Sequence, residues 1–249
     1  MTPLERLLEL HATTDPTIED LLLSVTQVLR PNPPPVEVSV ATLDHLALQI
    51  DDHTPDGIAA HLFGPAGFSG DVEDYHAPEN SFLDAVLMRR TGMPITLAAV
   101  LIAVARRCNV GLHGVGMPGH FLVGVDGDPD HFLDPFAGGV SLNLATAEQR
   151  FRQLFGPAAP FEPEMLRPVT PQSMLSRVLN NLTRSLAERD ARMLDPLIDL
   201  RAALPGPQSE RRLVIGMAEA RGRWDVAARL REELDPDDPA AGDLWARMN

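Results

Sequence analysis

The chain has 249 residues, 44% of them hydrophobic and 22% charged, the balance of a globular protein with a sizeable core and not of a disordered one. Acidic residues number 35 against 21 basic ones, for a formal charge of -14, which argues against nucleic-acid or anionic-lipid surfaces as partners. The single cysteine, Cys108, excludes an intramolecular disulfide framework and a multi-cysteine metal site.

All 21 basic residues are arginine, so Schiff-base, P-loop and Ser-Lys chemistry are excluded together. No apolar run reaches membrane-spanning length, and Met1 to Glu9 lacks the basic and apolar regions of a signal peptide. The expected setting is the cytoplasm. Residues 1–80 hold 14 acids and 2 arginines, whereas residues 81–170 hold 8 and 7, and residues 171–249 hold 13 and 12. The acidity is thus N-terminal, read first as a solvated face and second as a surface for a basic partner.

In chain order, Leu4, Leu7 and Leu8 follow helical spacing, as do Ile18, Leu21 and Leu22, with Asp15, Pro16 or Thr17 opening the second helix. Asn32 to Pro35 breaks the pattern, and a third helix is expected from about Val40 to Ile50. Phe63 to Ser69 reads as a loop. The long apolar run Ile95 to Val104 predicts a buried helix beginning near Pro94, where a missing N–H costs nothing, and ending before Asn109 and Gly111.

The period then changes to two. Gly114–Met117, His120–Val125 and His131–Asp134 read as short strands, with a turn at Asp126 to Asp130 between the last two. Three aspartates in that turn match the start of an EF-hand loop, but His131 stands at its sixth position and Ala137 at its twelfth, so calcium is not expected. The proline-rich stretch Pro157 to Pro171 reads as a linker. Helices are expected at 173–188, 192–204, 209–221 and 223–234. A weak self-similarity at an offset of 31 residues makes them two tetratricopeptide-type pairs.

Three pieces carry the chemistry. Gly92 to Ala98 opens a helix, Gly119 to Val123 lies on a strand, and Phe132 to Phe136 lies on the next. A papain-like site needs a nucleophile at a helix N-terminus, a histidine base on a facing strand, and an acid or amide that orients the histidine. His120 and Asp134 fall where the base and its orienter belong.

The arrangement resembles the transglutaminase-like superfamily, with His120 in the histidine position and Asp134 in the aspartate position. The longer runs Pro78–Leu83, Arg89–Leu97, Gly114–Val123 and Asp134–Phe136, with Tyr75, look like the SirB-type bacterial family. That resemblance covers nearly the whole chain. It implies a transglutaminase-like core followed by tetratricopeptide-like repeats.

One departure stands out. Anchored on Gly92, the nucleophile position is Pro94, and proline cannot attack. Cys108 lies 14 residues along the same helix, roughly 21 Å away at 1.5 Å per residue. Thr96 is the sole hydroxyl near the helix start and a candidate weak nucleophile, although such a threonine usually bonds locally. Asn80, Arg89 and Arg90 read either as supports or as pocket walls, and Gly116, Pro118 and Gly119 as a tight backbone path that a partner approaches. A metal held by His120, Asp134 and one of His76, His113 or His131 has too few assured ligands. No cofactor or metal is expected.

The expected fold is α+β. It has an N-terminal helical region (1–74), a transglutaminase-like core of helix on antiparallel sheet (75–156), a linker (157–171) and a tetratricopeptide-like helical domain (172–249). The expected function is a non-catalytic interaction or regulatory module with a protein partner, homo-oligomerisation remaining open. The alternative is a residual hydrolase or acyltransferase that uses His120 and Asp134 with Thr96 or water.

Overall fold

The computed structural model describes residues 1–246. Four helices come first: α1 (Pro3–Ala12), α2 (Ile18–Leu29), α3 (Val36–Leu48) and α4 (Pro55–Phe63). The side-chain oxygen of Thr17 accepts from the Asp20 N–H at 3.2 Å and so starts α2. A short strand β1 (Ser69–Gly70) and helix α5 (Leu83–Arg89) precede β2 (Thr91–Gly92), which pairs in parallel with β1.

Helix α6 (Pro94–Arg107) is the centre of the molecule. Every residue from Pro94 to Leu101 is buried, as are Ala103, Val104 and Ala105. A helix apolar on all sides must be covered on all sides, and α2, α3, α4, α5 and the sheet do so. That sheet comprises β3 (Leu112–Val115), β4 (Leu122–Val125), β5 (Asp128–Asp134), β6 (Val140–Leu142) and β7 (Pro168–Val169), in the antiparallel order β6-β5-β4-β3-β7. Helix α7 (Leu144–Phe155) lies between β6 and β7 in the chain.

The C-terminal half is helical: α8 (Pro171–Arg189), α9 (Leu194–Ala203), α10 (Gln208–Ala220), α11 (Trp224–Leu234) and α12 (Pro239–Ala246). The first four agree with the predicted spans to within about two residues, and α12 is additional.

Packing divides the chain differently from the expected segments. One continuous apolar core runs from Leu7 through α6 to Leu182, Leu197 and Leu204, and so crosses the boundaries drawn at 74 and 171. A second core joins Ile198, Val214, Val226, Leu230 and Leu244. The two meet within α9, where adjacent residues Leu197 and Ile198 belong to different cores. The stretch read as a linker is also folded. It supplies β7 to the sheet edge beside β3, and Leu166 is buried against Val115 and Phe151. Leu213, on α10, is 44% exposed. Met193 and Trp224, paired by the 31-residue similarity, pack on different cores.

Candidate functional site

The site is assembled where α6 begins. Pro94 occupies the first helical position, where its fixed φ suits the helix and its missing N–H leaves no bond unmade. Two residues along, the Thr96 hydroxyl accepts from the Met93 N–H at 3.1 Å and donates to the Asn80 carbonyl at 2.7 Å. Thr96 is wholly buried. Its oxygen is therefore spent on starting the helix and holding the segment before it, which corrects its candidacy as a nucleophile.

Asn80, Arg89 and Arg90 are likewise supports. The Asn80 amide donates to the Asp71 carboxylate at 3.0 Å and to the Asp74 carbonyl at 2.8 Å, while its oxygen accepts from Arg89 at 2.9 Å. Arg89 also pairs with Asp71 at 3.2 Å. Burial raises the Asp71 carboxyl, but the Asp74 N–H, Asn80 and Arg89 together hold it below its ordinary value. Arg90 ends α5 in the left-handed conformation, with its guanidinium 4.7 Å from the centre of the Phe68 ring. None of the three lines the cleft described below, which corrects the pocket-wall reading.

His120 comes at the turn before β4, where its N–H donates to the Met117 carbonyl, so the strand begins at Leu122 and not at His120. Gly119 forms that turn at φ +71°, a left-handed conformation natural to glycine, and a Cβ there would sit 2.8 Å from the Phe155 ring. Asp134 ends β5, on the strand that pairs with β4. The two side chains meet as the 14-residue spacing requires: His120 Nε2 lies 2.9 Å from Asp134 Oδ1.

Asp134 is fully buried. The same Oδ1 also accepts from the N–H groups of Phe136 and Ala137 at 3.2 and 3.1 Å. Among the described residues its Oδ2 accepts no hydrogen bond, although the Arg150 guanidinium stands 3.3 Å away as an ion pair. A carboxylate on Nε2 places the ring proton there and leaves Nδ1 as the free base. His120 can hold or pass a proton at that atom.

His120 opens on a cleft of about 370 Å³, a volume suited to a small ligand or a few residues of peptide. Pro94, Ile95 and Gly119 line it beside the histidine, and Tyr75 stands at its edge. Sequence reasoning missed the opposite wall, which is helix α8 with Arg177, Asn180, Asn181 and Arg184. Their i, i+3, i+4, i+7 spacing was the available signal, a polar stripe beside the apolar face formed by Met174, Leu175, Val178, Leu179, Leu182 and Leu186. Gly116 is the point of contact: a Cβ there would lie 2.7 Å from the Arg177 guanidinium, which donates to the Gly116 carbonyl at 2.6 Å.

Cys108 caps the far end of α6, 6% exposed, and burial pushes its thiol above the ordinary range. Among the described residues no three His, Cys, Asp or Glu side chains form a metal-binding group. His113 pairs with Asp126 at 2.6 Å and His131 with Asp56 at 3.2 Å, both away from His120. Among the described residues no helix is long and apolar enough to cross a membrane.

Residues 34–180 match the family model of the transglutaminase-like superfamily. The chain is similar to a UPF0162 protein of Xylella fastidiosa, 38% identical over 149 residues, which are 56% of this chain and 53% of that protein. A UPF0162 protein of Pseudomonas aeruginosa is 30% identical over 190 residues, 73% of this chain and 69% of that one. F-box only protein 21 of Homo sapiens is 27% identical over 154 residues, 58% of this chain and 23% of that protein. The chain spans about half the length of the Xylella proteins it matches.

Proposed function

We propose that this chain, which belongs to the transglutaminase-like superfamily and to the UPF0162 proteins, uses its cleft to bind a protein partner and does not transfer acyl groups. The observation that carries the reading is Pro94, which lines the cleft with His120 at the helix start where a papain-like site needs its nucleophile. Thr96 is buried and engaged, and Cys108 is at the other end of the helix, so neither supplies the missing group.

Within the superfamily we assign the chain to the SirB-type group. The run Gly114–Val123 and the paired C-terminal helices support that assignment. The setting we assign is the cytoplasm, and the partner is a protein held at the cleft in a regulatory complex.

One observation favours a second reading. The His120–Asp134 bond is intact and faces an open cleft, so a water-using hydrolase remains its natural rival. Two measurements separate the readings. With p-benzoylphenylalanine in place of Tyr75, at the cleft edge, illumination in the native host is expected to yield one discrete protein adduct. The same replacement at Leu48, an exposed residue of α3, is expected not to give it. Hydrolysis of acyl-ester and amide substrates is expected to be unaffected by His120→Ala. Turnover abolished by that substitution, or adducts identical at both positions, overturns the binding reading.

A further inference from the structure

The wall formed by α8 is cationic in an otherwise acidic chain. The chain carries a formal charge of -14, yet the residues that line the cleft include Arg177, Arg184, His76 and His120 and no aspartate or glutamate. Fourteen arginines among the described residues stand within ion-pair distance of a carboxylate. Arg177 and Arg184 form no such pair, although carboxylates are plentiful. Arg177 is half-buried, rests over the Phe121 ring at 5.7 Å from its centre, and among the described residues has only the Gly116 carbonyl as an acceptor. Withdrawing a cation from water without a counter-charge is unfavourable, and burial pushes the Arg177 guanidinium below its ordinary pKa. Those costs are recovered when an anion arrives.

The neighbours are fixed as well. Asn180 receives a hydrogen bond from Arg201 at 2.7 Å, and the Asn181 amide meets the Met93 sulfur at 3.2 Å. The cationic pair is therefore mounted on a braced helix face, not on a loose surface.

Spacing selects the ligand. Arg177 and Arg184 are seven residues apart, about 10.5 Å along a helix that rises 1.5 Å per residue. A single small anion is too short to bridge both. A peptide in the polyproline II conformation advances about 3.1 Å per residue with three residues per turn, so carboxylates three positions apart lie on one side of the chain and stand about 9 Å from one another. Beyond Gly119 the mouth is apolar, with Leu154 and Phe155 each 51% exposed and packed against that glycine. An apolar lip beside two cations fits a segment of chain and not a free ion.

We infer that the cleft recognises an extended acidic protein segment, with one carboxylate on Arg177 and a second, three residues away, on Arg184. This rests on the reading that the cleft binds a partner and names that partner's chemistry.

The test is fluorescence anisotropy on the full chain with two fluorescein-labelled hexapeptides: one with glutamates three positions apart in an alanine background, and its glutamine counterpart. The glutamate peptide is expected to bind, the glutamine peptide to bind at least about tenfold more weakly, and Arg184→Gln to weaken the glutamate peptide by about tenfold. Arg184 is exposed and has no ion pair among the described residues, so this variant keeps its fold. Added salt should weaken binding, and inorganic phosphate at peptide concentration should not compete. Equal binding of both peptides, unchanged by Arg184→Gln, overturns the charge assignment and leaves partner binding intact. Displacement by equimolar phosphate overturns the segment assignment. No peptide binding alongside a Tyr75 photo-adduct overturns this inference alone, and no binding with no adduct overturns both.

Discussion

Asp134→Ala is the most informative single substitution in the site. The carboxylate is fully buried and its Oδ1 takes three donors: the imidazole of His120 and the N–H groups of Phe136 and Ala137. Truncation leaves the two backbone donors without an acceptor, at about 1–3 kcal/mol for each buried unpaired group. It also removes the counter-charge of Arg150 at 3.3 Å. The His120 ring is adjacent to the cleft and turns to water, so it adds little. The expected loss is about 3–5 kcal/mol, or roughly 6–20 °C in melting temperature for a chain of this size. Asp134→Asn keeps an oxygen for the same three donors but loses the charge and turns an amide NH2 toward Arg150, so about 1–2 kcal/mol is expected. Urea and thermal denaturation followed by circular dichroism at neutral pH measure both. An Asp134→Ala variant within about 1 kcal/mol of the parent would refute the account of this carboxylate as the pin of the β5 turn. Equal losses in the two variants would show that charge, and not the acceptor, is what the turn uses.

Other outcomes follow from the same geometry. Thr96→Val keeps the shape but strands the Met93 N–H and the Asn80 carbonyl, and should cost about 2–3 kcal/mol without touching any His120-dependent chemistry; a neutral effect on stability would contradict the hydrogen bonds assigned to it. Pro94→Cys places a thiol at a helix N-terminus beside His120, and iodoacetamide at pH 7 should label it at least about tenfold faster than buried Cys108; equal rates would mean that His120 does not reach this position. The Asp71 carboxyl is held below its unfolded value, so its contribution is complete above about pH 4 and is lost as pH falls through the depressed native value. Asp71→Asn should therefore flatten the acid limb of stability, and an unchanged limb would count against the Asp71–Asn80–Arg89 cluster. Gly119→Ala should destabilise the chain through both φ +71° and the Phe155 ring, and a stable, well-folded variant would be the contrary result.

The sequence was most legible where one element decides its own identity. Proline at a helix start, an apolar run of helical length and threonine caps specify α6 and α2 locally, and the structure places them within a few residues. The His120–Asp134 contact was readable because a tight turn between two strands fixes which residues face each other. Even so, the strand before the turn is shorter than its apolar pattern implies, since Gly119 and the Met117 carbonyl hold His120 in a bend. What escaped depends on tertiary partners. Arg177 and Arg184 read as solvated arginines until α8 is laid across the cleft. Pro157–Pro171 has linker composition, but β3 offers an open edge that Pro168 and Val169 complete. Asn80 and Arg89 suit a pocket wall or an internal brace equally well by composition, and only the position of Asp71 settles the matter.

Pro94 also bears on what this sequence can become. A proline at the first turn stiffens the unfolded chain and leaves no native bond unmade, so exchanging it for another residue gives up about 0.4–1 kcal/mol. Any path from this sequence to one with a reactive side chain at the cleft therefore starts downhill in stability, before chemistry has been gained to select for it. The position acts as a ratchet. A helix that starts well has been fastened at the spot where a nucleophile would have to stand, and point mutation enters that state more readily than it leaves it.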